Sequence, residues 1–259
     1  MAKTDILFGI HVVQNFLEQT PHQVVEIVVQ IGKDDKRFND LLKLAYTHGI
    51  AVTEAKRKYL DEVSNQGNHQ GVIAKCKLPK PKGDHELLNW LDAHMEQCQE
   101  QRLKGKDQSP FLLILDTVTD PHNLGACLRT AAAAGVHGVI APKDKSVGIT
   151  PTVRKVASGA AETMPFYQVT NLARTMRALK DKGVFIVGTL LNDQSHSLYD
   201  IDLKGPLAIV MGAEDKGMRR LTAEHCDEIA YIPINESIES LNVSVATGVS
   251  LFEALRQRL

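Results

Sequence analysis

Four stretches in the second half of the sequence are apolar almost without interruption: FLLILD (111–116), GVIA (138–141), GVFIVGTL (183–190) and PLAIVMG (206–212). None alternates polar with apolar positions, so each reads as a strand covered on both faces. Helical patterns separate most of them, and alternation of this kind predicts a parallel sheet with helices on both sides. Such sheets bind ligands outside the carboxyl ends of their strands. Attention therefore falls on the loops that follow.

The first 83 residues follow a different plan. Val12, Val13, Phe16 and Leu17 suit a helix, VVEIVVQI (24–31) a β-branched strand, and Phe38, Leu41, Leu42 and Ala45 a second helical stripe closed by Gly49. IAVTEA (50–55) and GVIAKC (71–76) add strands, which predicts a small α/β sandwich of about 80 residues. Twelve basic and nine acidic residues give this segment +3, whereas the whole chain, with 30 against 31, carries −1. No global positive field is present, so contact with nucleic acid has to come from local patches. Lys33, Lys36 and Arg37 form one such patch, and Lys56, Arg57 and Lys58 another. Each stands at a strand-to-helix junction, and together they predict an edge that touches phosphates.

LPKPKGD (78–84) has the composition of a linker, and the polar run CQEQRLKGKDQSP (98–110) that of a second joint. Between them Leu87, Leu88, Leu91 and Met95 recur at helical spacing. The predicted organisation is a domain over 1–77, a linker with a short helix over 78–110, and a second domain over 111–259. Four cysteines without CxxC spacing read as reduced thiols. No signal peptide and no membrane-spanning run is apparent, so a cytoplasmic protein is expected. No His/Cys/carboxylate cluster has ligand spacing, so no metal is expected.

Three loops carry polar residues beyond what folding asks. In DPHNLGACLRTAAAAG (120–135), Asn123 stands where a helix cap belongs, while Arg129 is the one long cation in a helix of small and apolar residues. Six positions set the two about 120° apart on an ideal helix, so they share a ligand only if Asn123 precedes the helix. MGAEDKGM (211–218) is a glycine-bracketed turn after a strand; Met218 replaces the lysine of a phosphate loop, which excludes a Walker site. In the third loop, IPI (232–234) leads to SLNVSVA (240–246), which puts Ser240, Asn242 and Ser244 at a helix start, and Val245, Val249, Phe252 and Leu255 are read as that helix's inward face.

In this order and spacing, NLGACLRTA (123–131), GAEDKG (212–217) and IPI…SLNVSVA resemble the motif set of the SpoU family of RNA ribose 2′-O-methyltransferases, also called the TrmH family. FGIHVVQNFL (8–17) and HQGVIA (69–74) resemble the ends of the substrate-binding domain that many members carry. The resemblance implies an α/β fold with an N-terminal L30e-like domain and a C-terminal SPOUT parallel-sheet domain tied in a deep trefoil knot. It implies S-adenosyl-L-methionine as cofactor and a homodimer with the active site at its interface. Carried over by motif, Asn123, Arg129, Glu214, Ser240 and Asn242 are the expected catalytic set. Thr189, Leu190, Met211, Gly212, Ile232 and Leu241 are the expected cofactor contacts, and Lys33, Lys36, Arg37, Lys56 and Arg57 the expected RNA contacts. The implied substrate is a guanosine in the peptidyl-transferase P loop of 23S rRNA, free or in a ribosome precursor. The alternatives within the family are a tRNA ribose and a 23S rRNA adenosine. From other classes come a non-catalytic RNA-binding dimer and a small-molecule nucleotide binder, and the latter has no use for the basic clusters.

Overall fold

The computed structural model of the chain describes residues 4–77, 82–102, 108–213, 217–235 and 237–259. Two compact units emerge: residues 1–80 with 158–163, and residues 81–157 with 164–259.

The first unit contains β1 (Asp5–Phe8), α1 (Ile10–Gln19), β2 (Val24–Gln30), α2 (Lys36–Thr47), β3 (Ala51–Ala55), α3 (Arg57–Val63) and β4 (Val72–Cys76). Its sheet has the order β1-β4-β2-β3, with β2 and β3 parallel and β4 antiparallel to both its neighbours. The helical stripe read at Phe38, Leu41 and Ala45 is buried, and Asp35 caps α2 by accepting from the Phe38 N–H at 3.0 Å. Because β2 and β3 are parallel neighbours, the junctions that follow them lie at the same edge of the sheet. Those junctions carry Lys33, Lys36 and Arg37 on one side and Lys56 and Arg57 on the other.

The rest of the chain runs through α4 (Asp84–Arg102), β5 (Phe111–Leu115), α5 (Pro121–Ala133), β6 (Gly138–Pro142), α6 (Pro151–Ala157), α7 (Ala160–Thr163), β7 (Phe166–Val169), α8 (Leu172–Asp181), β8 (Phe185–Thr189), β9 (His196–Ser197), β10 (Leu207–Met211), α9 (Arg220–Ala223), β11 (Glu228–Tyr231) and α10 (Val243–Arg258). The seven strands form one parallel sheet in the order β7-β6-β5-β10-β8-β11-β9. Every residue of β5, β6 and β10 is buried, as unbroken apolar strings require.

Two expectations change here. The helix expected to be short, within a linker, is 19 residues long, and its Leu87 and Leu91 are fully buried in the core of the second unit. Asp84 ties its start to α8, accepting from the Thr175 hydroxyl at 2.6 Å and the Thr170 N–H at 3.2 Å. Burial of this kind makes the segment part of the unit and not a spacer. In α10 the inward face is Val243, Thr247, Ser250, Leu251 and Ala254, whereas Val245 and Phe252 are 52% and 48% exposed. Small residues set the packing: the Thr247 hydroxyl donates back to the Val243 carbonyl at 2.7 Å and lies 3.4 Å from Cys127 Sγ on α5. A hydroxyl satisfied within its own helix can be buried. On α5 itself, a Cβ at Gly125 would stand 2.8 Å from the Val153 carbonyl oxygen of α6, so glycine is the residue that lets these two helices meet.

One half-buried histidine makes stability depend on pH. His137 accepts from the Phe111 N–H through Nδ1 at 3.0 Å, and its ring lies against that of His94. Burial, aided by the charges of His94 and Arg258, pushes its pKa down to about 4. In the unfolded chain the ring protonates near 6.5, so acid favours unfolding. This contribution is complete above about pH 6.5 and is lost as the pH falls toward 4. Allowing for the ring's partial exposure, we expect a loss of about 1–2 kcal/mol over that window. His137→Asn should show a flatter profile in urea titrations between those pH values; an unchanged slope would assign the dependence to other groups.

Candidate active site

The carboxyl ends of β8, β10 and β11 lie side by side, with Thr189 in register with both Met211 and Ala230. A cleft of about 200 Å³ opens there. Its lining includes all six residues expected at a cofactor: Thr189, Leu190, Met211, Gly212, Ile232 and Leu241. Ser240, from the expected catalytic set, also lines it, and Tyr231, Ile234 and Glu239 add to its walls. Thr189 does not offer its hydroxyl to the cleft, because Oγ1 donates to the Val210 carbonyl at 3.0 Å. The walls are thus mostly apolar, with main-chain groups at strand ends and a few polar side chains.

One wall is a tight turn. Ala213 and Gly217 exchange two backbone hydrogen bonds, of 3.0 and 2.8 Å. Gly217 uses the left-handed region (φ 61°). Gly212 is required for a different reason: a Cβ there would sit 2.3 Å from Gly217 C and Met218 N. Behind the turn lies a pair that the sequence reading did not single out. Asp116, which directly follows β5 and is fully buried, accepts from the Arg219 N–H at 3.0 Å and from Nε at 2.7 Å, and Arg219 Nη2 stands 2.6 Å away. The carboxylate therefore holds the chain just past the turn by both main chain and side chain. A charged residue ending an otherwise apolar strand was the signal available in the sequence.

Asn242 caps α10, its Oδ1 accepting from the Ser244 N–H at 2.9 Å and hydroxyl at 2.6 Å, while its Nδ2 donates to Asn123 Oδ1 at 3.0 Å. Two members of the expected catalytic set, 119 residues apart, thus share a hydrogen bond. The expectation that Asn123 caps α5 is overturned. Asp120 is the cap, accepting from the N–H groups of His122 and Asn123, and Pro121 fills the first helical position, where no N–H is needed. Asn123 lies inside the first turn, so Arg129 stands about 9 Å further along the axis and about 120° round it. Arg129 is exposed and forms no ion pair with another described residue, so it meets water and not a costly apolar interior. It does not line the cleft. Glu214 lies outside the described residues. Among the described residues no group of His, Cys, Asp and Glu has the arrangement of a metal site, and no helix is long and apolar enough to cross a membrane.

Comparison with known proteins follows the same division. Residues 110–252 match the SpoU rRNA Methylase family, and residues 6–82 match the family described as RNA 2′-O ribose methyltransferase substrate binding. The chain is 52% identical to the 23S rRNA (guanosine-2′-O-)-methyltransferase RlmB of Shewanella oneidensis, over 100% of this chain and 99% of that protein. It is 50% identical to the RlmB of Escherichia coli K12, over 98% and 99%. Among solved structures, an AdoMet-bound rRNA methyltransferase from Sinorhizobium meliloti superposes with a TM-score of 0.75 at 24% identity, covering 99% of this chain and 88% of that one. The SpoU methyltransferase AviRb of Streptomyces viridochromogenes gives 0.76 at 21%, covering 99% and 90%. These likenesses extend to the α/β architecture of both units. From the ordered motifs to the match over more than half its length, the chain belongs to the SpoU rRNA methylase family.

Proposed function

We propose that the protein transfers a methyl group from S-adenosyl-L-methionine to the ribose 2′-hydroxyl of a guanosine in 23S rRNA, position 2251 of the P loop. One observation carries the reading: the six residues expected at the cofactor converge on a single cleft at the ends of three parallel strands. The residues present fit that cofactor. Apolar walls from Leu190, Ile232 and Leu241 suit a purine, main-chain groups at Met211 and Gly212 suit its edge, and Ser240 and Glu239 suit hydroxyls. When bound, the cofactor supplies an electrophilic sulfonium methyl whose leaving group is a neutral thioether.

What remains for the protein is to present the hydroxyl in line, its proton leaving to water as the bond to the methyl carbon forms. Arg129 is assigned to gripping the phosphate beside the target ribose. A guanidinium, with a pKa above 12, is a poor base at neutral pH, and an exposed cation with no ion pair among the described residues is suited to an anion. Asn123, held by Asn242, orients the ribose or Arg129. A substrate-binding unit ahead of a catalytic unit that takes in α4, the knotted threading, the homodimer and the cytoplasmic location belong to the same proposal. The exposed apolar pair Val245 and Phe252, seven positions apart on one side of α10, favours the dimer.

The test is transfer of labelled methyl to a 23S rRNA transcript carrying the P loop, with that guanosine present or replaced by its 2′-O-methyl form. Label on the first only is expected; equal label on both would refute the assignment. Arg129→Lys should retain part of the turnover of a phosphate clamp, whereas an obligatory base would recover in that variant at high pH. The asparagine pair gives a sharper prediction. Asn242→Asp keeps the cap but presents an acceptor to Asn123, so stability should hold within about 0.5 kcal/mol while turnover falls about tenfold. Asn242→Ala should also lose about 1 kcal/mol of stability. Full turnover in the Asp variant would leave the pair a purely structural one.

A further inference from the structure

The first unit holds a polar cavity of its own, of about 450 Å³, at the edge where β2 and β3 end. Lys33 and Arg57, one from each of the two basic clusters, stand on it. So do four side-chain amides: Gln30, Gln66, Asn68 and Gln70. The loop that closes it is strained, with Asn65, Gln66 and Gln70 all at positive φ (55°, 61° and 51°). It is held there by buried His69. The Gly71 N–H donates to His69 Nδ1 at 2.9 Å, so the proton is on Nε2, which donates to Asp61 at 2.9 Å. Gln70 Oε1 accepts from the Ile10 N–H at 3.0 Å, tying the loop to the start of α1. Gly71 leaves room for Lys33: a Cβ there would meet Lys33 Cδ at 2.4 Å. Left-handed backbone at non-glycine residues costs free energy and gathers where a loop is shaped for a ligand.

We infer that this cavity takes one unpaired nucleotide of the rRNA substrate, with its base against the amides and its phosphate on Lys33 and Arg57. The inference rests on the rRNA reading given above. The chemistry of the lining carries it. A phosphate or carboxylate alone asks only for donors, whereas amides present donors and acceptors together, as the edge of a base does. A concave site suits a base turned out of a loop better than a duplex, whose grooves are read by shape. The two cations sit between local carboxylates, Lys33 Nζ 3.5 Å from Asp35 and Arg57 Nε 3.8 Å from Asp61, which keeps them at the rim. Diffuse attraction by a basic surface would need neither the amides nor the strained loop.

Two double variants of the full-length protein separate base from phosphate contacts, using binding of a 23S rRNA transcript carrying the P loop across a salt series. Lys33→Gln with Arg57→Gln should weaken binding about tenfold and make the salt dependence shallower by about one neutralised phosphate. Gln66→Ala with Asn68→Ala should weaken it about fivefold with the salt slope unchanged, because no charge is removed. Lys43→Gln, exposed on α2 away from the cavity, should change little. All are expected to melt like the wild type, since the substituted side chains are at the surface or rim. Wild-type affinity in the amide variant, or a loss accompanied by a shallower slope, would overturn the nucleotide pocket. Failure of the wild type to methylate the transcript would count against the rRNA reading instead, so the two failures are distinguishable.

Discussion

Replacing Gly212 by alanine is expected to abolish cofactor binding. The added Cβ would lie 2.3 Å from two main-chain atoms, Gly217 C and Met218 N, and 2.7 Å from the Gly217 oxygen. No side chain can rotate out of its way, so the turn itself has to open. That breaks the two hydrogen bonds between Ala213 and Gly217 and removes a wall of the cleft. The loss arises inside the protein, before any ligand is met, so even the smallest side chain suffices. Affinity for S-adenosyl-L-methionine, measured by calorimetry, should fall more than 100-fold, about 2.8 kcal/mol or more. Strain of this kind in a packed site also costs about 1–3 kcal/mol of stability. Wild-type affinity in Gly212→Ala would remove the turn from the binding site.

The second large effect concerns the pair behind that turn. Asp116 is fully buried, whereas Arg219 is 42% exposed, so removing either partner has unequal consequences. Arg219→Ala leaves the carboxylate in the interior with the N–H of residue 219 as its donor from that side. An ion left without its partner in such a place costs about 3 kcal/mol, taken at the low end because water reaches the arginine. Asp116→Asn with Arg219→Ala should recover part of that loss, since the buried charge is then gone. Both variants should weaken cofactor binding as well, because the chain beyond Gly217 is no longer anchored. Urea unfolding of the single and double variants supplies the check. A single variant as stable as the wild type would show that the turn holds itself.

The parallel sheet was legible because apolar strings such as 111–115 and 207–211 tolerate no solvent on either face. β1 and β7, of four residues each, are too short to show a period, and β1 acquires its identity only by pairing with β4. The inward face of α10 was misread because large apolar residues were taken for the core, whereas threonine, serine and alanine pack against α5 and leave Val245 and Phe252 outside. The cleft was legible through the motifs, since glycine brackets and strand ends mark it locally. The asparagine pair and the Asp116–Arg219 clamp were not, as their partners lie 119 and 103 residues apart. Asn123 was misplaced by three residues because Asp120-Pro121 is the stronger start: proline at the first helical position fixes the register. No periodicity reveals how a chain threads, so the knot rests on the resemblance alone.

The central claim is that this chain methylates the ribose of one guanosine in 23S rRNA. Mapping of 2′-O-methylation across the rRNA of a strain lacking the gene tests it most directly, with the strain complemented by wild type or by Gly212→Ala. The account predicts that a single guanosine mark, in the P loop, disappears on deletion, returns with the wild type and stays absent with the variant. An unchanged methylation map in the deletion strain, or loss confined to a tRNA or to an adenosine, would contradict it.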